Sequence, residues 1–265
     1  MADVYKQTEL EIPHLHKALN VSGYFMRAFV SIVLTFFVCS IYGQTQKIIS
    51  IPTFTNYKNQ VDTTLWFKWK SELIRQVNLK DLKTVKDTFH LRFWTDIQAI
   101  DIWTTDHNFY SATITNYAQR YDQKLFRKGV YKVDKVFSNQ IALDTSKARQ
   151  LFSLVDTLRI AFIPTDDKIK GWQQGLDGEE FIIEVSTPTQ YDFKTYWSPR
   201  VFSDTLIQAK QIQTLVDRLY KDFKIGSYYD KLKLPQGNYK RNGIMGITIG
   251  SNETIETKSL ITDWF

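Results

Sequence analysis

Cysteine is nearly absent from this chain: Cys39 is the only one among 265 residues. A single thiol cannot form an internal disulfide, and it cannot supply the cysteine pairs of a structural zinc site. Histidine is scarce too, and of the four residues only His90 and His107 lie beyond the first 43 positions. One falls in a strand-like run and the other in a turn, without the short spacing of a zinc-binding pair. We therefore expect no metal site and no cofactor.

A hydrophobic run long enough to cross a membrane is also lacking. The apolar block at 28–39 has twelve residues, well short of the ~20 that span a bilayer as a helix. Arg27 precedes the block and the small residue Gly43 follows it, which is the pattern of a cleaved export signal. An uncleaved anchor and a buried helix are the alternatives. We predict an upstream extension at 1–25, a signal peptide at 26–43 and a single α+β domain at 44–265, located in the periplasm or outside the cell.

The charge of the chain is basic but dispersed. Lysine and arginine number 34 against 28 acidic residues, which gives a net charge of +6 and a pI near 9.1. No basic run is longer than the Lys-Arg pair at 240–241. A nucleic-acid-binding face concentrates its positive charge, so we expect a solvated surface and no nucleic-acid partner. We also expect no stable membrane span once the signal is removed.

Hydrophobic periodicity predicts both helices and strands. Apolar residues recur at helical spacing in 62–78, between Asp144 or Thr145 and Leu158, and from Ser203 or Asp204 to about Lys224, where Gly226 would end the longest helix. Strand-like runs occupy 89–94, 99–105, 109–121, 124–138 and 243–249, with Gly129 as a bend in the fourth. Runs of strands followed by helices indicate an α+β fold. We expect an antiparallel meander plus a hairpin, packed against two or three amphipathic helices.

The hairpin at 181–197 is the most explicit local prediction. Apolar residues alternate in Phe181–Val185 and again in Phe193–Trp197, so each run reads as a strand with one buried face. A loop at Pro188-Thr189-Gln190 would place Glu184 opposite Lys194, as a cross-strand ion pair. The strand would end at Trp197-Ser198-Pro199, because proline has no N–H for a ladder.

A sequence pattern runs through the same region. It consists of Trp172, the turn Gly175-Leu176-Asp177-Gly178, the strand ending in Glu184 and the stop Trp197-Ser198-Pro199. The pattern resembles a family of small exported bacterial proteins without an established activity. The resemblance is loose over 89–223 and closer over 158–199. The resemblance implies an antiparallel meander followed by a helix and then the hairpin. It assigns no catalytic role to any residue.

Paired carboxylates are the one catalytic candidate. Asp177 and Glu184 are close in sequence, and two carboxyls about 5–10 Å apart are the chemistry of glycoside hydrolysis. Trp172 and Trp197 would then serve as platforms for the sugar. The opposing interpretation is structural, since Asp177-Gly178 is ordinary turn chemistry and Glu184 has Lys194 as a partner.

The aromatic content favours binding over catalysis. The chain has 18 Phe, 14 Tyr and 7 Trp, and Tyr and Trp are enriched where a large apolar ring meets a polar edge. If one hairpin face packs on the helices, Tyr196 lies on the other. We name Trp172, Tyr191, Tyr196 and Arg200 as candidate binding residues. The leading hypothesis is an exported, cofactor-free binding module with a protein or glycan partner in the cell envelope. A hydrolase using Asp177 and Glu184 is the alternative, and a purely structural envelope protein is the third possibility.

Overall fold

The computed structural model describes residues 46–55, 58–175 and 178–240, together with the backbone of 246–249. The predicted extension, the predicted signal peptide and Asp177 lie outside these residues. The described residues from Lys47 onward belong to one compact unit. In the described ranges, no helix has the length and hydropathy required to cross a membrane.

The strands of the described residues form a nine-stranded mixed sheet and a separate two-stranded hairpin. Their bounds are β1 Ile48–Ser50, β2 Thr53–Thr55, β3 Val61–Thr63, β4 Phe89–Trp94, β5 Gln98–Thr104, β6 Tyr110–Tyr121, β7 Val133–Ala142, β8 Glu180–Ser186, β9 Gln190–Trp197, β10 Gly237–Lys240 and β11 Gly246–Ile249. The large sheet has the order β1-β9-β8-β4-β5-β6-β10-β11, and β7 pairs with β6. Only β1 runs parallel to its neighbour, so the sheet is mixed and not a pure antiparallel meander with a hairpin.

Six α-helices occur in the described part of the chain. They are α1 Leu65–Gln76, α2 Gln123–Phe126, α3 Thr145–Thr157, α4 Pro199–Phe202, α5 Ile207–Lys221 and α6 Ile225–Tyr229. Side chains cap two of the longer ones: Thr64 accepts from the Phe67 N–H, and Asp144 accepts from the Lys147 N–H at 2.8 Å. The α+β class is therefore confirmed.

The meander strands β4, β5 and β6 are confirmed within one or two residues, but the strand predicted at 124–138 begins later. Asp122 accepts hydrogen bonds from the Lys124 and Leu125 N–H groups at 2.9 and 3.0 Å and starts the short helix α2. Gly129, with φ +74°, lies in the turn that follows and not in a strand. A capping aspartate thus takes over a segment whose composition suggested a strand.

The predicted register of the β8–β9 hairpin is wrong by one residue. Glu184 lies opposite Phe193, and Lys194 lies opposite Ile183. The loop is 187–189, closed by a 2.8 Å hydrogen bond from the Thr187 N–H to the Gln190 carbonyl. Residues on both faces of β8 are buried, so apolar alternation alone cannot select the register. The predicted Glu184–Lys194 ion pair is therefore absent, and the Lys194 ammonium donates to the Ala161 carbonyl at 2.7 Å.

The longest helix, α5, starts at Ile207, later than predicted, because the Ser-Pro step at 198–199 first opens the separate short helix α4. Gly226 does not end α5 but lies within α6. The left-handed residue between the two helices is Lys224, with φ +49°.

Among the described residues, the two larger of three hydrophobic clusters lie on the two faces of the large sheet. The first contains Phe93 and Ile100 from the sheet together with Leu151 of α3 and Ile212 of α5. The second contains sheet residues Trp94, Ala99, Ile182 and Phe193 together with Leu73 of α1 and Leu82. Successive residues of a strand point to opposite faces, so the same strands supply side chains to both cores.

Candidate functional site

Charged side chains are buried on the second-core face of the sheet. His90 and Arg92 come from β4, Asp101 from β5 and Glu184 from β8, and all four are almost fully inaccessible. Arg92 lies opposite Asp101 on one side and opposite Glu184 on the other. Because opposite residues of an antiparallel pair share a face, the register places the arginine between two carboxylates.

Asp101 is the acceptor at one end of this cluster. Its Oδ1 accepts from Arg92 Nε at 2.9 Å and lies 2.8 Å from His90 Nε2. The other ring nitrogen of His90 lies 2.8 Å from Asp87 Oδ2. Burial opposes ionisation of Asp101, but Arg92 and His90 outweigh it, and the pKa of the carboxyl is lowered.

Glu184 is the acceptor at the other end. Its Oε1 accepts from Trp94 Nε1 at 2.6 Å, and its Oε2 accepts from the Tyr191 hydroxyl at 2.7 Å. Arg92 Nη1 lies 3.7 Å from Oε1. Burial and the neighbouring Glu184 raise the pKa of Tyr191, so Tyr191 remains a hydroxyl donor. Both carboxylate oxygens of Glu184 are thus occupied.

Lys70 of α1 is buried beside this cluster, with 9% of its surface exposed. Its Nζ donates to the Tyr117 hydroxyl at 3.1 Å and to the Thr95 carbonyl at 3.4 Å, and it lies 4.5 Å from the centroid of the Trp94 ring. Among the residues that the structure describes, no carboxylate forms an ion pair with it. Burial lowers the pKa of Lys70 to about 8, although Asp96 and Glu184 oppose the shift.

Two cavities flank α1, and Lys70 lines both. The larger, of about 400 Å³, is also lined by Phe67, Phe193, Glu184 and Tyr191. The smaller has about 130 Å³, and its lining combines aromatic rings with polar groups: Trp66, Trp69, Tyr117, Glu72, Asp96, Gln119 and Lys240. We call these two cavities, with Lys70 between them, the α1 cleft.

The structure brings together two of the residues that the sequence singled out. Tyr191 and Glu184 are hydrogen-bonded and line the same cavity. Asp177 lies outside the described residues, so its pairing with Glu184 stays a prediction. Arg200 is exposed on α4, where its guanidinium lies 3.6 Å from Asp217, and it lines neither cavity of the α1 cleft.

Tyr196 and Trp172 do not lie on an open face. Tyr196 has no exposed surface, and its hydroxyl donates to the Ile163 carbonyl at 3.0 Å. The expectation of an exposed Tyr196 is wrong because Tyr196 shares a face with Phe181, which belongs to the first core. Trp172 is only 8% exposed and donates from Nε1 to the Trp197 carbonyl at 2.8 Å.

The glycine turn of the sequence pattern has a packing role. A Cβ on Gly175 would lie 2.3 Å from the Trp197 ring, and a Cβ on Gly178 would lie 2.1 Å from Ser198 Oγ. The backbones of Glu179 and Ser198 are joined by a 2.7 Å hydrogen bond. Gly175 and Gly178 therefore permit the close approach of their own backbone to the end of β9.

The residues that sequence reasoning missed are mainly Lys70, Arg92 and Asp101. The polar alternation in β4 is typical of a solvent-facing side, but in the structure this side faces the second core, so its polar groups are buried. Lys70 follows Trp69 on the apolar stripe of a helix, and that position was the one local signal. In the described ranges, no group of three His, Cys, Asp or Glu side chains is arranged to hold a metal.

Comparisons with known proteins add no family. No protein-family model, curated protein or solved structure matches the chain significantly. Functional inference therefore depends on the chemistry of the α1 cleft.

Proposed function

We propose that this protein is an exported, cofactor-free binding module of the cell envelope, and that its ligand is a glycan bound in the α1 cleft. The observation that carries the proposal is the pair of cavities beside α1, each with an aromatic wall and a few polar groups. Binding sites for small ligands combine these features. The α+β scaffold holds the cleft in place, with α1 packed on one sheet face and α3 and α5 on the other.

The smaller cavity has the chemistry that sugars require. Trp69 is 45% exposed, and Trp66 meets it edge to face with ring centroids 5.3 Å apart. A pyranose ring presents C–H groups on one face, which pack on an indole, and hydroxyls at its edge, which exchange hydrogen bonds with carboxylates, amides and amines. Glu72, Gln119 and Lys240 supply those groups around the indoles.

Truncation of Trp69 tests the site. We expect Trp69→Ala to weaken binding of soluble peptidoglycan fragments or hexose oligomers at least about tenfold, because the variant removes the exposed ring. Phe109→Ala is the matched control, since Phe109 is a strongly exposed aromatic in the β5–β6 turn that lines neither cavity. Chemical-shift titrations measure both affinities. The proposal fails if no oligosaccharide binds, or if both variants bind as the parent does.

Export is tested separately from binding. We expect the protein in the envelope fraction of cells, with a mature chain that starts at Gln44 after removal of 26–43. Intact-mass measurement of the fractionated protein reports the N-terminus. Recovery of the uncleaved chain from the cytosol would contradict the export proposal and leave the binding proposal to its own test.

Glycoside hydrolysis is the second candidate because Glu184 lines the larger cavity. The hydrogen bonds that Trp94 and Tyr191 donate to its two oxygens hold this carboxylate in one orientation, which is the positioning that a nucleophile or base requires. The test is release of chromophore from aryl glycosides by the parent protein, by Glu184→Gln and by Asp177→Asn. Turnover that both substitutions abolish would favour the hydrolase, and absence of turnover in the parent would exclude it for those substrates.

A further inference from the structure

Lys70 is the residue that connects the two cavities of the α1 cleft. Lys70 lines both, while nine-tenths of its surface is buried. Its hydrogen-bond partners are uncharged, the Tyr117 hydroxyl at 3.1 Å and the Thr95 carbonyl at 3.4 Å. The Trp94 and Tyr117 rings lie 4.5 and 5.5 Å from Nζ. Lys70 thus lines two cavities, and no ion pair with another residue of the described part of the chain holds its amine.

Such surroundings make an amine nucleophilic. A lysine that loses water around its charge has a larger neutral fraction, and the neutral amine is the form that attacks carbonyl carbon. Burial lowers the pKa of Lys70 to about 8. At pH 7 roughly a tenth of such an amine is neutral, against well under 1% for an ordinary lysine.

We propose that Lys70 captures small aldehydes, such as the open-chain end of a reducing sugar, as an imine within the α1 cleft. This inference deepens the proposed function, since it concerns a ligand of the same cleft. The reaction needs only the amine and the aldehyde.

The step balances without a redox partner. The Nζ lone pair forms a bond to the carbonyl carbon, and the C=O π electrons move to oxygen, which takes up a proton. The nitrogen, now positively charged, gives up one proton and leaves the neutral carbinolamine. The hydroxyl takes up a second proton and leaves as water while the nitrogen lone pair forms the C=N bond, and the iminium nitrogen then releases its remaining proton to give the imine. Amine and aldehyde thus give imine and water. The Tyr117 hydroxyl, which also donates to the Thr95 carbonyl at 2.8 Å, positions the amine and takes no part in the bond changes.

The charge state of Lys70 depends on the groups that face it. Asp96 and Glu184 stabilise the ammonium, and Lys240 across the smaller cavity destabilises it. Tyr117 stays neutral, because burial raises its pKa well above the usual range. The rate of imine formation at Lys70 should therefore increase as the pH rises from 6 to 8, whereas the corresponding increase at exposed lysines should occur at higher pH.

Reductive trapping tests the inference. The full-length protein is treated at pH 7 with limiting glycolaldehyde and sodium cyanoborohydride, and the modified peptides are quantified by mass spectrometry. We expect Lys70 to be labelled at least about tenfold faster than Lys147, an exposed lysine whose pKa is raised by its hydrogen bond to Tyr228. Equal or slower labelling of Lys70 would overturn the inference.

Two variants separate reactivity from folding. Lys70→Arg keeps a positive charge but forms no stable imine, so it should lose the preferential adduct while other lysines label as before. Tyr117→Phe keeps the ring and should alter only the rate at Lys70. If the parent protein binds hexose oligomers but shows no preferential labelling of Lys70, imine capture is rejected and the proposed function stands. Preferential labelling of Lys70 without any oligosaccharide binding would support imine capture and reject the proposed function.

Discussion

Arg92 illustrates how much a single buried charge depends on its neighbours. It lies between Asp101, at 2.9 Å, and Glu184, at 3.7 Å, and all three residues are almost fully buried. Burying charges is costly, and only mutual compensation makes the arrangement tolerable. Arg92 Nη1 and Asp101 Oδ2 still have no hydrogen-bond partner among the described residues. Loss of a further partner would therefore leave more buried charge without compensation.

We expect Arg92→Met to lower the free energy of unfolding by about 3–5 kcal/mol, because two buried carboxylates lose their shared partner. Arg218→Met is the matched control: it removes an exposed i,i+4 ion pair with Asp222, which is worth roughly 0.3–0.5 kcal/mol. Urea unfolding measures both. Similar losses in the two variants would show that the buried cluster contributes no more than a surface pair.

Glu180 provides a pH-dependent prediction. Burial raises its pKa from 4.5 to about 8, Asp166 adds to the shift, and its Oε1 has no hydrogen-bond partner in the described structure. Because the pKa of Glu180 is higher in the folded state than in the unfolded state, the folded protein binds this proton more tightly, and protonation of Glu180 stabilises the fold. The favourable contribution is therefore complete below pH 4.5 and is lost as the pH rises towards 8.

Glu180→Gln keeps the shape and cannot ionise. We expect the variant to be more stable than the parent at pH 8, by about 1–4 kcal/mol, and to lose most of that advantage at pH 5. Urea midpoints across this pH range provide the measurement. A constant difference between Glu180→Gln and the parent would contradict the assignment.

At the scale of elements, Gly175 and Gly178 lie against the end of β9 because neither has a side chain. A Cβ on Gly175 would lie 2.3 Å from the Trp197 ring, so Gly175→Ala should destabilise the protein by about 1–3 kcal/mol through overpacking. If Trp197 is first replaced by Ala, the same substitution should cost under about 0.5 kcal/mol. A double-mutant cycle in urea gives the coupling, and additive effects would show that the turn and the ring are independent.

Element types were predictable where local chemistry and periodicity agreed. The Asp144 cap and the apolar stripe of α3 define that helix within a residue, and β4 occurs at the predicted positions. The hairpin register was not predictable, because residues on both faces of β8 are buried and a one-residue shift still buries them. The parallel strand β1 was not predicted for a different reason: it has three residues, which are too few to show a periodic pattern.

The candidate site was predictable only in fragments. Glu184 and Tyr191 were selected from sequence, and the structure joins them by a 2.7 Å hydrogen bond. Lys70 lies more than 100 positions before them in the chain, and only the packing of α1 on the sheet brings it to the same cavity. Long-range juxtaposition of this kind leaves no local pattern in a single sequence.

At the scale of the whole molecule, the sheet is shared by two cores. Phe93 faces one and Trp94 the other, and the same holds for Ile183 and Ile182. If the packing on one face is lost, the strands that also supply side chains to the core on the other face become exposed. We therefore infer that the two cores unfold together and not as independent units.

Variants in the two cores test this cooperativity. Leu151→Ala in the first core and Leu82→Ala in the second each remove a fully buried side chain and should cost about 2–5 kcal/mol. Exposed Leu65→Ala is the control and should stay within about 0.5 kcal/mol. In each variant, the methyl NMR signals of Ile100, from the first core, and Ile182, from the second, should disappear at one common urea midpoint. If Leu82→Ala lowers the urea midpoint of the Ile182 signal and leaves the midpoint of the Ile100 signal unchanged, the two cores unfold separately. The shared strands would then not couple the stability of one face to that of the other.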